Sequence, residues 1–193
     1  QSKVEPASGT SLALGVIAAC TVMYLRVAVV TAALNPELGV AFLPYWIAPA
    51  LGGGAISLFG LRRKGQNADA GEFPHNPLEI GSALKMALLF QVVLFAISEV
   101  RDRLGEAGML ASGAVLGLTD VDALTISMSK SAVGPEQVAT AAMAVAIGCL
   151  ANSFFKLAIA LTLGRGQFRP YVAVGFAVMI AAAGVAIAVK GYS

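Results

Sequence analysis

The stretch Ala111–Ser131, ASGAVLGLTDVDALTISMSKS, constrains this chain more than any other. It is apolar enough to lie in a bilayer. Yet Asp120 and Asp122 stand near its middle, with Thr119, Thr125, Ser127 and Ser129 around them. A carboxylate at membrane depth costs roughly 2.5–3.5 kcal/mol on insertion scales, so two of them require compensation. On a regular helix, positions i and i+2 point about 200° apart. The two aspartates can share a partner only if the backbone opens after Gly117. Otherwise the helix must be central, with polar neighbours on both sides. Both alternatives put the segment inside a bundle and away from lipid.

The rest of the chain supplies such a bundle. Six apolar segments reach the roughly 20 residues that a span needs. They are Ser11–Leu34, ended by Asn35-Pro36; Leu38–Leu61, with Pro44 and Pro49 inside it; Pro77–Val100; Ala107–Lys130, which carries the aspartates; Pro135–Leu163; and Pro170–Val189. The expected fold is an all-α, polytopic transmembrane bundle of about six helices forming one domain over residues 1–193. Composition agrees, since 58% of residues are hydrophobic and only 12% charged, about half the charge of a soluble domain. Six basic residues (Lys3, Arg62, Arg63, Lys64, Lys130 and Lys190) fall on one side of the predicted topology. Four (Arg101, Arg103, Arg165 and Arg169) fall on the other. The positive-inside bias therefore puts both ends of the chain in the cytoplasm. No basic stripe is present that would serve nucleic acid. Cys20 and Cys149 both lie in apolar runs and form no disulfide framework. His75 stands alone in a polar loop, read as solvated.

The beginning of the chain resembles its second half. CTVMYLRVAVVTAAL, from Cys20, aligns with CLANSFFKLAIALTL, from Cys149, and Arg26 falls one place from the match to Lys156. Helices one and two then repeat as helices five and six. An even number of crossings separates them, so the repeat is parallel, about an axis along the membrane normal. A repeat of this kind lacks an opening pair in its first copy. The expectation is that the chain is the C-terminal part of a longer protein, with an upstream segment as an intramolecular partner.

GLTDVDALTISMSK, preceded by NPLEIGSALKMALLF and followed by ANSFFKLAIALTLG, resembles a bacterial membrane module of unknown function. That module is found C-terminal to membrane domains of the MgtC/SapB type. MYLRVAVVTAALNP matches its other recurrent segment, and the likeness runs from about Leu12 to Ala188. The resemblance implies a multi-pass protein of the bacterial inner membrane. It also suggests a link to magnesium or another divalent cation.

Asp120 and Asp122, with Thr119 and Thr125, form the candidate ion-binding set. Carboxylates beside hydroxyls and main-chain carbonyls are hard oxygen donors suited to Mg²⁺, Ca²⁺ or a proton. The competing reading is an internal ion pair that only fixes packing. Arg26 and Lys156 sit deep at near-equivalent places and are the expected counter-charges. Asn152 and Ser153 extend a polar stripe from Lys156, either as helix-to-helix glue or as a pathway lining. Gly113 and Gly117 form a G-x-x-x-G that favours close helix packing. Alternatively, Gly117 permits an unwound turn whose carbonyls join the aspartates. Lys85 and Glu99 read as interfacial. Tyr24, Tyr45, Trp46 and Tyr171 read as packing or interface residues. No Ser–His pair, histidine cluster or phosphate loop points to an enzyme. The expected function is transport or permeation of a small cation, a divalent one such as Mg²⁺ included. The alternative is a non-transporting structural or regulatory subunit of a membrane complex. The expected partners are the lipid bilayer and a second copy or other membrane proteins.

Overall fold

The computed structural model describes residues 6–63, 110, 113–118, 120–164 and 166–191. Among them every regular element is helical. Helix α1 spans Pro6–Leu34, α2 spans Pro36–Arg63, α3 spans Val121–Ser131, α4 spans Pro135–Leu163 and α5 spans Phe168–Gly191. Residues 113–118 form a further helical stretch ahead of α3. The expected segment Pro77–Val100, with Lys85 and Glu99, lies outside the described residues, as do His75 and Thr119.

Four of the described helices, α1, α2, α4 and α5, are long and apolar enough to cross a membrane. Their outward faces carry large apolar side chains such as Val29, Val40, Leu51 and Val185. In water such a surface would be untenable. In a bilayer it is the lipid-facing belt. This is a multi-pass integral membrane protein. Pro44 and Pro49 both lie within the continuous α2. Each removes one backbone donor, which packed membrane helices tolerate.

The expected span Ala107–Lys130 is divided. Asp120 adopts an extended conformation, φ −149° and ψ 95°, and α3 begins after it. With 11 residues, α3 is only about 16 Å long at 1.5 Å per residue, so it does not cross a bilayer by itself. The physical cause is local. Asp120 accepts hydrogen bonds from Asp122 N at 2.9 Å and Ala123 N at 3.1 Å. It thus offers the chain a cap in place of a continued helix.

The helix contacts follow the internal repeat. α2 packs on α4, and α5 packs on α1. With α1 equivalent to α4, and α2 to α5, these are one contact seen from two copies. α2 also packs on α5, an element meeting its own equivalent. Tyr24 Oη lies 3.3 Å from Ser153 Oγ, and these residues occupy matching places in the two halves. A residue meets its equivalent only at a two-fold axis. The pseudo-axis therefore runs between α1 and α4. Cys20, Tyr24, Cys149 and Ser153 are all buried around it.

The stretch 113–118 and α3 lie against α4, and α3 also touches α1. Glycine makes the first contact possible. A Cβ on Gly117 would overlap the Gly148 backbone, and one on Gly113 would meet Ala144 O at 2.6 Å. No flexible side chain could yield there. Gly117→Ala should therefore cost roughly 1–3 kcal/mol as an overpacking change, read as a lower unfolding midpoint in detergent. Gly184, with nothing within 4 Å of its added Cβ, is the control, and Gly184→Ala should leave the midpoint unchanged or raise it slightly.

Candidate functional site: a charged cavity at the helix break

The break at Asp120 frees backbone groups that a continuous helix would pair. On one side Gly117 O is available, and Asn152 Nδ2 from α4 donates to it at 2.8 Å. On the other side Asp120 Oδ1 takes the first two α3 amides. At the far end of α3, Asn35 Nδ2 donates to Ser129 O at 3.3 Å and Ala132 O at 3.2 Å. Its Oδ1 accepts Leu38 N at 3.1 Å, capping α2. Two side-chain amides, Asn152 on α4 and Asn35 at the α1–α2 corner, thus hold the chain just before the short helix and at its far end. Each partner removes the cost of an unpaired polar group in low dielectric.

Asp122, in the first turn of α3, forms an ion pair with Arg26 Nη2 of α1. The pair is not sealed off, since the two side chains keep 38% and 59% of their surface. A cavity of about 330 Å³ opens beside it. Its polar lining comes from Arg26, Asp120, Asp122, Asn152 and Lys156, with Ala19, Val22, Met23 and Val121 as the apolar wall. Met23 and Asn152 are equivalents in the repeat, and Arg26 and Lys156 nearly so. The cavity therefore sits on the pseudo-axis.

Five of the residues singled out in the sequence meet at this cavity: Arg26, Asp120, Asp122, Asn152 and Lys156. Thr125 does not join them. It is fully buried, and its hydroxyl donates to Val121 O at 2.7 Å, so α3 turns it away from the aspartates. Among the described residues, Lys156 lines the cavity without an aspartate in ion-pair contact, and its ammonium donates to Met23 Sδ at 3.2 Å. The polar stripe on α4 divides its work. Ser153 binds a neighbouring helix, Lys156 lines the cavity, and Asn152 does both. Gly113 and Gly117 serve close packing, and the Gly117 carbonyl goes to Asn152 rather than to an ion site. Tyr24 and Tyr45 are buried, Tyr45 stacks on Phe42, and Tyr171 is exposed.

The donor set does not fit a resident divalent cation. Two carboxylates face two cationic side chains, and the α3 N-terminus adds a partial positive charge. Among the described residues, no excess negative charge is left to hold a doubly charged ion. Met23 and Asn35 were missed as site residues by sequence reasoning. Asn35 had a signal, its place before Pro36 at a helix junction, which reads only as a stop. Met23 had none.

A family model described as "Domain of unknown function (DUF4010)" matches residues 1–164, most of the chain. The chain belongs to that family. The DUF4010 match includes the break, the whole cavity lining and α4. The chain is also similar to an uncharacterized protein of Aquifex aeolicus (strain VF5). They are 24% identical over 97 residues, which is 50% of this chain and 42% of that protein. The match thus spans less than half of the relative's length. No solved structure matches.

The hydrogen bonds around the break predict a graded series. Asn152→Leu, close in shape, orphans Gly117 O and should cost roughly 1–3 kcal/mol, with faster amide exchange at the start of α3. Asp120→Ala should lose roughly 0.5–2 kcal/mol of capping, whereas Asp120→Asn should keep most of it. Thermal unfolding in detergent distinguishes these ranks.

Proposed function

We propose that this protein moves a small cation across the membrane through the cavity at the α3 break. The observation that carries this reading is the cavity itself. About 330 Å³ of space reaches both aspartates. An ion pair kept only for packing would be closed over by side chains, since protein interiors are filled to near-crystal density. Open space lined by ionisable groups within a membrane bundle is the usual mark of an ion or solute path.

The charge balance favours a singly charged cation over Mg²⁺. Arg26 and Lys156 already offset Asp120 and Asp122. A divalent ion would leave two excess positive charges in a low-dielectric site, against a steep solvation cost. A monovalent ion exchanges its water for Asp122 while Arg26 swings away. Asn152 and Asp120 hold the broken backbone in place meanwhile. No catalytic step is assigned to the chain. The bacterial inner membrane and the kinship with the MgtC/SapB-associated module belong to the same proposal, resting on the motif at residues 117–130.

The second reading is a non-transporting membrane subunit. The Arg26–Asp122 pair and the capping role of Asp120 favour it, because both act as structural ties. Ion flux in proteoliposomes separates the two. Transport predicts Na⁺ or K⁺ flux above that of empty vesicles, reduced roughly tenfold or more by Asp122→Asn, a loss of about 1.4 kcal/mol in barrier terms. Equal flux in the wild type, Asp120→Asn and Asp122→Asn, or no flux at all, would leave the subunit reading standing.

A further inference from the structure

Two groups at the cavity have hydrogen-bonding capacity that the described residues leave unused. Lys156 Nζ carries three donors and a full charge, and its one partner is Met23 Sδ, a weak acceptor. Asp120 takes both of its backbone donors on Oδ1, so Oδ2 is uncommitted. Asn152 also lines the cavity, but its Oδ1 is sealed inside the protein and is not reached from that space.

These unused groups select among ligand classes. A bare metal cation would meet Asp120 but leave Lys156 uncompensated and add charge to a balanced site. A simple anion would meet Lys156, yet it would face Asp120. A molecule with an ammonium group at one end and a carboxylate at the other satisfies both groups and adds no net charge. We infer that the cavity binds a small zwitterion, its ammonium group held by Asp120 and its carboxylate by Lys156, with Arg26 beside it. The cavity, at about 330 Å³, lies at the low end of the roughly 300–1,000 Å³ of ligand pockets. That size suits a short amino acid better than a peptide. This inference rests on the transport reading of the cavity and puts a zwitterion, whose ammonium end carries the positive charge, in place of the bare monovalent ion. A neutral overall load also avoids carrying net charge through hydrocarbon.

The test uses the purified full-length protein, followed by calorimetric titration and thermal shift. Glycine, β-alanine and γ-aminobutyrate are the zwitterionic probes. Methylammonium, acetate and sodium chloride are the single-charge probes. Saturable binding of at least one zwitterion is expected, with methylammonium and acetate at least tenfold weaker. Lys156→Met and Asp120→Asn should each weaken it tenfold or more. Asp120→Asn keeps the helix cap, and both variants are compared at matched helix content and gel-filtration profile. Gly184→Ala should bind like the wild type. Absence of zwitterion binding, equal binding of the single-charge probes, or wild-type affinity in both variants would each overturn the inference. Na⁺ or K⁺ flux without zwitterion binding leaves the transport reading intact and removes this one. Loss of both flux and binding removes both.

Discussion

In a low-dielectric bundle, a polar group without a partner is the dominant local cost, and the turn at Asp120 is where this chain meets that cost most openly. Breaking a helix in a membrane frees backbone donors and acceptors that water cannot reach. Here side chains take up freed groups on both sides of the break and at the far end of α3. Asp120 caps the new N-terminus, Asn152 takes the released Gly117 carbonyl, and Asn35 takes the last carbonyls of α3. The break is therefore a supported feature. Its consequence is that Asp120 and Asp122 turn toward the same space, which a continuous helix would forbid.

The second organising feature is the pseudo-two-fold axis. Tyr24 against Ser153, α2 against α5, and the reciprocal contacts of α1 with α5 and α2 with α4 all follow from it. Cys20 Sγ also reaches Ser153 Oγ, at 3.6 Å. Two copies of one helix pair bury their matched small and polar residues against each other. The cavity lies where that matching is imperfect. Met23 stands where the other copy has Asn152, and Arg26 and Lys156 differ by one register. Asymmetry at an otherwise symmetric junction gives the cavity one ion-paired cation and one cation that, among the described residues, meets a thioether alone.

Much of this was legible in the chain. The helix class, the bounds of α4 at Pro135 and Leu163, and the corner at Asn35-Pro36 follow from hydropathy and from proline and asparagine chemistry. The two aspartates stood out because carboxylates in an apolar run are costly. Arg26 stood out for the same reason, with opposite sign. What could not be read was pairing. Lys156 looks as good a partner for an aspartate as Arg26 does. Thr125 looks as close to the site as Asp122, since it lies only three residues further along the chain.

Sequence alone determined that this is a multi-pass helical membrane protein with an internal repeat and a charged segment that had to be buried. Those properties depend on length, hydropathy and local backbone chemistry, and they hold whatever the neighbours are. Tertiary structure decided the rest. It chose the break over a central regular helix, gave Asp122 to Arg26, left Lys156 on Met23, and turned Thr125 away from the cavity. These outcomes depend on which helices lie side by side and at what height. The Gly117–Gly148 contact sets that height for the aspartate helix, through a closeness that only two facing glycines allow.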